Sequence, residues 1–302
     1  MTVRQVDFLT CDHEEADTRL LLHARHACDE LYDKVIIRSP DTDVAIIALS
    51  LMSKLPPVKL YFLTGTKDKQ RMIDLHAVSS ALGSPMCESL IGLHTFTGCD
   101  STSALYGKGK DKPLNLVSEN KDYISAFIAV GKQFEIDSGT FLTVERFVCD
   151  LYGEKVSDVN IARYKRFCVK SSSEQGLPPT KDALKEHFWH ANYQAAVHRR
   201  ALDSTIDAPS PDGYGWNVKN GELNITWMTK DPAPKSILEV LHCGCKSGTC
   251  TGGRCSCHKA DFSCTELCKC TNCENSENTT TRSTEETVMC DNETDSEGSD
   301  VE

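Results

Sequence analysis

The sequence predicts an α/β fold: a parallel sheet flanked by helices, followed by a helical segment, a small cysteine-rich domain and a disordered acidic tail. Three observations predict it. Strand-like apolar runs alternate with helical patterns through residues 12–150, nine of the 16 cysteines lie between Cys243 and Cys273, and residues 274–302 hold ten acidic side chains and one arginine. That last segment accounts for −9 of the net charge of −11, so the rest of the chain is nearly neutral.

The first part of the chain has the pattern of a βαβ unit. A helix is predicted over residues 12–31 from apolar side chains at helical spacing. Residues 35–39 and 59–63 suit buried parallel strands, and the apolar helix predicted over residues 44–55 would form the right-handed crossover between them. We therefore expect the first strand to lie inside the sheet, with the loop after it at the carboxyl edge.

Later segments complete the predicted organisation. Helices are expected over residues 86–96, within 121–170 and over 181–200, and a hairpin over 215–227 should turn at Asn220-Gly221. The last helix carries three histidines that we expect at the surface, namely His187, His190 and His198. The predicted domains are an α/β domain (1–170), a linker with a helix and hairpin (171–240), a cysteine-rich domain (241–275) and the disordered tail (276–302).

The composition excludes several classes of protein. Hydrophobic residues make up 39% and charged residues 25% of the chain, as in ordinary globular proteins. The longest apolar run covers residues 44–52, far too short to span a membrane, and no signal-peptide core is expected near the N-terminus. The expected location is the nucleus, or otherwise the cytosol, where thiols stay reduced.

The cysteine-rich segment has the spacing of a metal–thiolate cluster. Its order is Cys243-x-Cys245-x4-Cys250-x4-Cys255-x-Cys257-x6-Cys264-x3-Cys268-x-Cys270-x2-Cys273. A disulfide scaffold is the alternative, but the odd number and the three Cys-x-Cys pairs disfavour it. Three tetrahedral zinc ions need twelve bonds, which nine thiolates supply when three of them bridge two ions each. We therefore expect about three structural zinc ions.

This pattern closes on Cys270-Thr-Asn-Cys273-Glu-Asn275 and resembles the CXC (tesmin-type) family of zinc domains. The resemblance covers residues 243–275 and implies zinc binding and contact with the DNA minor groove through the residue before the fourth cysteine. That residue is commonly Tyr in the family and is Arg254 here. Arginine also suits a narrow, electronegative minor groove. A purely structural or protein-binding zinc domain is the alternative.

Five carboxylates occupy the ends of predicted elements in the α/β domain. They are Glu15, Asp17, Asp41, Asp43 and Asp100. Capping is the structural alternative, since Asp12 with Glu15 could form a capping box, and Asp43 or Asp100 could cap the helix that follows. Together they predict a cation site, because ligands bind beyond the carboxyl ends of parallel strands and converging carboxylates need divalent cations to offset their repulsion.

The order of these motifs resembles the structure-specific 5′-nucleases, a flap endonuclease-like, PIN-like family. There a Glu-Ala-acid pair, a strand-end Asp-x-Asp and a Gly-x-Asp hold two Mg²⁺ ions, and Glu15-Ala-Asp17, Asp41-Thr-Asp43 and Gly98-Cys-Asp100 match them. Lys108 and Lys110 lie where the family's glycine-rich hairpin grips a phosphate backbone. The resemblance covers about residues 11–115, including the segment 73–83 before the Gly-x-Asp helix, and implies a PIN-like sheet and catalytic Mg²⁺ or Mn²⁺.

The sequence departs from that family in two places. In the family, an N-terminal half supplies a first strand with another metal-binding Asp, and we expect that half to be missing from this chain. Its absence would leave an open edge or an exposed apolar face on the sheet. In addition, residues 107–110 are Gly-Lys-Gly-Lys where the family has a Gly-Ile-Gly rhythm.

Two functions fit these observations. One is a Mg²⁺- or Mn²⁺-dependent nuclease for DNA or RNA ends, in which the CXC domain anchors the substrate. The other is a non-catalytic DNA- or chromatin-binding zinc protein that carries a degenerate nuclease fold. DNA or RNA is the expected partner in both, with a chromatin protein as a further partner of the second. Neither a membrane nor a small-molecule substrate is expected.

Overall fold

The structure, a computed structural model, describes residues 5–135, 137–167 and 176–233 of the first part of the chain. In the cysteine-rich segment it describes 242–246, 250–251, 254–259, 263–264, 268–271 and 273–275. The chain divides into two compact units, Met1–Pro232 and Ala233–Glu302. The predicted tail, residues 276–302, lies outside the described residues.

A three-stranded sheet lies near the start of the first unit. Strands β1 (Lys34–Arg38) and β2 (Lys59–Thr64) are parallel, and β3 (Arg71–Asp74) pairs antiparallel with β2. The sheet is therefore mixed, because the short connection after β2 allows only a hairpin-like return. The order is β1-β2-β3, so the expectation that the first strand lies inside the sheet is wrong for the described residues.

Helix α2 (Thr42–Leu51) connects the two parallel strands and confirms the predicted βαβ unit. Its buried positions include Val44, Ile47, Ala48 and Leu51, which repeat at helical spacing and face the core. Helix α1 (Ala16–Asp29) precedes β1 and packs against both β1 and α2. The outer edge of β1 has no strand partner among the described residues, and Ile36 on this strand is 50% exposed.

Seven more helices complete the first unit among the described residues. They are α3 (Leu75–Leu82), α4 (Ser84–Thr97), α5 (Asp111–Ser118), α6 (Lys121–Ala129), α7 (Ser138–Leu151), α8 (Val159–Phe167) and α9 (Lys181–Arg199). The central one is α4, which packs against α2, α6 and α9. The Phe96 side chain of α4 is fully buried, and its ring centroid lies 5.8–6.3 Å from those of Phe127, Phe147 and Phe188. Aromatic side chains of this size contribute strongly to the hydrophobic stabilisation of a core.

Helix α9 and the hairpin after it belong to this first unit, which therefore extends to Pro232 and not only to about residue 170. The hairpin consists of β4 (Trp216–Lys219) and β5 (Glu222–Ile225), with the predicted turn at Asn220-Gly221. The Trp216 ring lies 4.1 Å from the His190 ring of α9. The expectation of surface histidines on α9 is wrong here, since His190 packs under the hairpin and His187 Nε2 lies 2.7 Å from the Phe96 carbonyl oxygen.

The second unit has little regular structure among its described residues. A single turn of helix, α10 (Ser256–Lys259), lies between cysteine positions, and the buried side chains are cysteines. Across the described part of the chain, no helix is both long and apolar enough to cross a membrane.

Candidate functional site

The five predicted carboxylates line a single pocket, close to the carboxyl end of β1. Its volume is about 260 Å³. The lining residues are Glu15, Ala16, Asp17, Asp41, Asp43, Cys99, Asp100, Ser101, Gln194 and His198. The structure thus brings together three motifs that lie far apart in sequence, and it adds residues of α9. A catalytic role for the carboxylates stays a prediction.

The start of α1 leaves the Glu15 carboxylate free for the pocket. The helix begins at Ala16, and Glu15 occupies the N-cap position without a side-chain capping bond. Asp12 lies before the helix and accepts a hydrogen bond from the backbone N–H of Ile206 at 2.9 Å. The capping-box alternative for Asp12 and Glu15 is therefore wrong. Asp17 lies in the first turn of the helix and also lines the pocket.

The turn from β1 into α2 fixes the second pair of carboxylates. Asp41 is the N-cap of α2, and its Oδ1 accepts the backbone N–H of Asp43 at 2.8 Å. Ser39 Oγ in turn accepts the backbone N–H of Asp41 at 3.0 Å. Asp43 is therefore not the cap; it is buried in the first helical turn. Capping occupies one oxygen of Asp41 and leaves the other able to bind a ligand.

Asp100 reaches the pocket because α4 ends abruptly. Gly98 follows the helix with φ +107°, and a Cβ at this position would lie 2.8 Å from the Cβ of Ala104. Glycine tolerates both conditions, whereas other residues do not. The chain then turns between Cys99 and Thr102 and leaves Asp100 exposed at the pocket. The capping alternative for Asp100 is wrong, since the next described helix begins at Asp111.

The carboxylates differ in how well the protein accommodates their charge. Burial and the charges of the neighbouring carboxylates raise the pKa of Asp17 above its usual value. Burial alone would raise the pKa of Asp43. The hydrogen bond from His94 and the positive charges nearby outweigh burial, so the pKa of Asp43 is lowered overall. A hydrogen bond with His198 lowers the pKa of Glu15 despite burial. Asp17 therefore experiences repulsion that no neighbouring group offsets fully, and a bound cation would relieve it.

Two residues of α9 form a wall of the pocket that sequence analysis missed. His198 is 2% exposed, and its Nε2 lies 3.5 Å from Glu15 Oε2. Gln194 Nε2 donates to Glu15 Oε2 at 3.3 Å and lies 2.9 Å from His198 Nε2. The other ring nitrogen, His198 Nδ1, is buried and has no hydrogen-bond partner among the residues that the structure describes. The expectation that His198 lies at the surface is wrong.

The two predicted phosphate-binding lysines lie outside the lining of this pocket. Lys108 Nζ lies 4.1 Å from the centroid of the Tyr152 ring. Lys110 Nζ lies at the end of α4, 3.0 Å from both the His94 carbonyl oxygen and Thr97 Oγ1. Contact between these lysines and phosphate stays a prediction.

The acidic pocket is wider than the ligand sphere of one ion. Among the described residues, the sets of three or more His, Cys, Asp or Glu ligand atoms within 4.8 Å of one another consist of cysteines. The pocket carboxylates are close enough to raise one another's pKa but would have to move inward to share a cation.

The nine predicted zinc ligands come together in the second unit. Four overlapping sets of four sulfurs, each within 4.8 Å, include them all: Cys243, Cys245, Cys250, Cys255, Cys257, Cys264, Cys268, Cys270 and Cys273. Cys243 Sγ lies 3.5 Å from Cys270 Sγ and 4.0 Å from Cys250 Sγ. A disulfide is about 2.05 Å long, whereas tetrahedral zinc with bonds of about 2.3 Å separates its sulfurs by about 3.8 Å. The donor set fits zinc; the number of ions stays a prediction.

Electrostatics of the cluster also favour a cation among the sulfurs. Burial raises the pKa of the Cys257 thiol to about 12 and also raises that of Cys264. At two other positions burial is outweighed by hydrogen bonds, which lower the pKa of Cys255 to about 7 and also lower that of Cys273. Thiolates at Cys257 and Cys264, by contrast, need positive charge to form. Outer contacts are present as well, since Asn275 Nδ2 donates to Cys264 Sγ at 3.4 Å and the backbone N–H of His258 donates to Cys255 Sγ at 3.5 Å. Such bonds orient metal ligands.

Basic side chains cover the outside of this cluster. Four cationic residues are exposed among the described positions: Lys246, Arg254, Lys259 and Lys269. Arg254 directly precedes the buried Cys255, as the resemblance to CXC domains requires of a DNA-contacting residue. The cysteines are thus inside and the cations outside.

Comparisons with family models, with curated proteins and with solved structures find no match to this chain. Both family resemblances therefore stay predictions from the sequence motifs.

Proposed function

We propose that the first unit is a divalent-cation-dependent phosphodiesterase that acts on DNA or RNA ends, as the 5′-nucleases it resembles do. The observation that supports this proposal is the convergence of five carboxylates from three distant motifs on one pocket. Capping explains only one of the five, because Asp41 alone among them makes a side-chain capping bond in the described helices. The other four make no capping bond in these helices, and carboxylates grouped around one pocket in this way are typical of a cation site.

The side chains around the pocket would define where the ligand oxygens lie. Mg²⁺ or Mn²⁺ held by these carboxylates would supply an activated water and stabilise the leaving oxygen of a phosphodiester. The cap of α2 orients Asp41, and His94 holds Asp43. Gln194 and His198 hold Glu15 from the opposite wall. Since the pKa of Asp17 is raised, a nearby positive charge would stabilise its carboxylate form.

We further propose that the second unit is a CXC-like zinc domain that binds DNA. Buried sulfurs with zinc-like separations and four exposed cations support this assignment. The cations would contact phosphates, and Arg254 would enter the minor groove. A nuclear location fits both proposed activities.

The nuclease proposal is tested with the zinc-loaded full chain and labelled flap, single-stranded and duplex substrates in Mg²⁺ or Mn²⁺. The key variant is Asp41→Asn/Asp43→Asn, because Asn still caps a helix and keeps the shape of the site while it removes both charges. We expect its cleavage rate to fall by more than about 100-fold, beyond the 10–100-fold typical of outer-shell substitutions. Glu14→Gln is the matched control, since Glu14 does not line the pocket. Equal rates for the wild type and the double variant would reject the proposal.

DNA binding by the zinc unit is tested through its dependence on salt. Four cations at the DNA surface, three of them on phosphates and Arg254 in the minor groove, predict a slope of log affinity against log salt of about −3 to −4. Arg254→Ala should weaken binding and flatten the slope by about one, whereas Lys219→Ala in the hairpin should leave both unchanged. Removal of residues 276–302 should strengthen binding, because this segment is acidic. A salt-independent affinity would contradict the proposal.

A non-catalytic DNA- or chromatin-binding zinc protein is the second candidate. The width of the acidic pocket favours it, since no three carboxylates approach within 4.8 Å among the described residues. In that case DNA should bind with the salt dependence above, while no substrate is cleaved in either cation. This candidate would be excluded if the wild type cleaves a substrate that the Asp41→Asn/Asp43→Asn variant does not cleave.

A further inference from the structure

His94 and Lys110 lie directly behind Asp43 and were not recognised as partners from the sequence. His94 is on the last turn of α4, and its Nε2 lies 2.8 Å from Asp43 Oδ1. Both side chains are about nine-tenths buried, at 12% and 11% exposure. On the other side of the ring, Lys110 Nζ lies 3.3 Å from His94 Nδ1. The three groups therefore form a continuous row.

We propose that Lys110 and His94 are positioning residues that hold Asp43 in place as a cation ligand, through a hydrogen-bonded chain that runs from Lys110 through His94 to Asp43. This inference rests on the proposed cation site. It replaces the phosphate contact expected of Lys110, because the ammonium points at His94 and at the end of α4.

The direction of the chain follows from which groups can donate. A lysine ammonium has donors only, so its bond to His94 Nδ1 requires an unprotonated Nδ1. The imidazole proton then lies on Nε2 and is donated to Asp43 Oδ1. Lys110 thereby selects one tautomer of His94, and that tautomer orients the carboxylate. A carboxylate or carbonyl often fixes a metal-binding histidine in this way; here the histidine fixes the carboxylate.

Lys110 is itself held where it can act. Its Nζ lies 3.0 Å from the His94 carbonyl oxygen, 3.0 Å from Thr97 Oγ1, and also contacts the Gly98 carbonyl oxygen. These acceptors belong to the end of α4, where carbonyl groups lack helical partners and the helix dipole attracts a cation. With His94 Nδ1 they make four acceptors around an ammonium that has three N–H groups, which leaves none of these groups for a phosphate.

The chain also reaches the second carboxylate of the pair. The backbone N–H of Asp43 donates to Asp41 Oδ1 at 2.8 Å. A shift of Asp43 would therefore disturb the cap of α2 and the position of Asp41. With Oδ1 of Asp43 bound to His94, the remaining oxygen is the one available to a cation, so the site has a defined ligand direction before any ion binds.

The test combines two readouts on the zinc-loaded full chain. The first is the His94 tautomer, measured without added Mn²⁺ by long-range ¹H–¹⁵N NMR and assigned by comparison with His94→Gln. We expect a proton on Nε2 in the wild type, and loss of that preference in Lys110→Met, which keeps the aliphatic stem but has no donor. The second readout is Mn²⁺ affinity, measured by electron paramagnetic resonance of the free ion.

His94→Ala should weaken Mn²⁺ binding by about 10–100-fold. His94→Gln should recover part of the loss, because its amide can still donate to Asp43. Lys110→Met should also weaken Mn²⁺ binding. Lys112→Met should not, because Lys112 is two residues away and takes no part in the hydrogen-bonded chain. A wild-type His94 protonated on Nδ1, or Mn²⁺ affinity that is unchanged in both His94→Ala and Lys110→Met, would overturn the proposal while leaving the cation site intact. Failure of the wild type to bind Mn²⁺ would instead overturn the proposed function, and with it the ligand role of Asp43.

Discussion

Buried side chains in the first unit are mostly aliphatic and aromatic, whereas the buried side chains described in the second unit are all cysteines. The first unit therefore takes its stability from apolar surface removed from water. The second has almost no such surface, so its folding free energy has to come from metal–thiolate bonds. One chain therefore contains two folding units with different sensitivities: the first responds to mutation of its core and the second to removal of metal.

Removal of metal should produce the largest difference between the units. The purified chain should carry about three zinc ions, each structural zinc being worth on the order of 10 kcal/mol. Chelation should unfold the cysteine unit and leave the melting of the first unit unchanged. Metal analysis with NMR before and after chelation measures both effects. A content near one zinc per chain, or cysteines oxidised in pairs, would contradict the cluster.

A core substitution should reverse that pattern. Phe96→Ala removes a fully buried ring from the aromatic cluster and should cost about 3–5 kcal/mol of unfolding free energy. Leu142→Ala, at a position that is 56% exposed, should change it by less than about 0.5 kcal/mol. Zinc content should be the same in both variants. Loss of zinc in Phe96→Ala would mean that the two units do not fold separately.

Removal of a charge from the acidic pocket should have a smaller effect than the core substitution, and it should raise the unfolding free energy of the first unit. Because the folded-state pKa of Asp17 is raised, its charge costs stability as pH rises through and above its ordinary value of 3.8. At neutral pH and without divalent cations, Asp17→Asn should therefore stabilise the first unit by about 0.5 kcal/mol, in the range of half-exposed charge pairs. Mn²⁺ should raise the melting temperature of the wild type but less that of the variant. Glu14→Gln serves as the control. If Asp17→Asn lowers the unfolding free energy in the absence of cations, repulsion between Asp17 and its neighbouring carboxylates is refuted.

Protons should also have a modest effect on the first unit. Burial, with a lesser contribution from His187, lowers the pKa of His190 to about 4. Since this value is below the ordinary 6.5, the unfolded chain binds more protons in between, and stability should fall as pH drops from about 6.5 to 4. The loss should be below about 1 kcal/mol, because the ring is only partly buried.

His190→Gln should remove this part of the pH dependence, and His23→Gln, at an exposed position of α1, should not. Thermal melts between about pH 4 and 6.5 measure this pH dependence. In the second unit the same acidification should release zinc, because protons compete for thiolates. A single transition shared by both units would contradict the claim that they fold separately.

Local patterns predicted much of the first unit. The βαβ path, α4, α9 and the Asn220-Gly221 hairpin follow from apolar spacing and turn chemistry within short windows. Strand β3 was missed because its four residues, Arg71–Asp74, are mostly exposed and show no alternation. The edge position of β1 depends on which strands exist elsewhere in the sheet, and no local signal contains that information.

The candidate site divides in the same way. Its five carboxylates could be found because they follow strands and helices in recognisable motifs. Its other wall could not, since Gln194 and His198 carry no motif and meet Glu15 only through the packing of α9. His94 and Lys110 were visible in the sequence, but their partnership depends on the abrupt end of α4 at Gly98.

The contact between Glu15 and Gln194 also has a consequence for biosynthesis, because the two residues are 179 positions apart. At about 5–20 residues per second, a ribosome needs roughly 10–35 s to pass from one to the other. Once Asp100 has been synthesised, and until α9 follows, the nascent chain contains every acidic motif but not the helix that encloses them. The α9 wall of the pocket is therefore synthesised last. A ribosome that stalls before α9 emerges would expose an incomplete acidic surface.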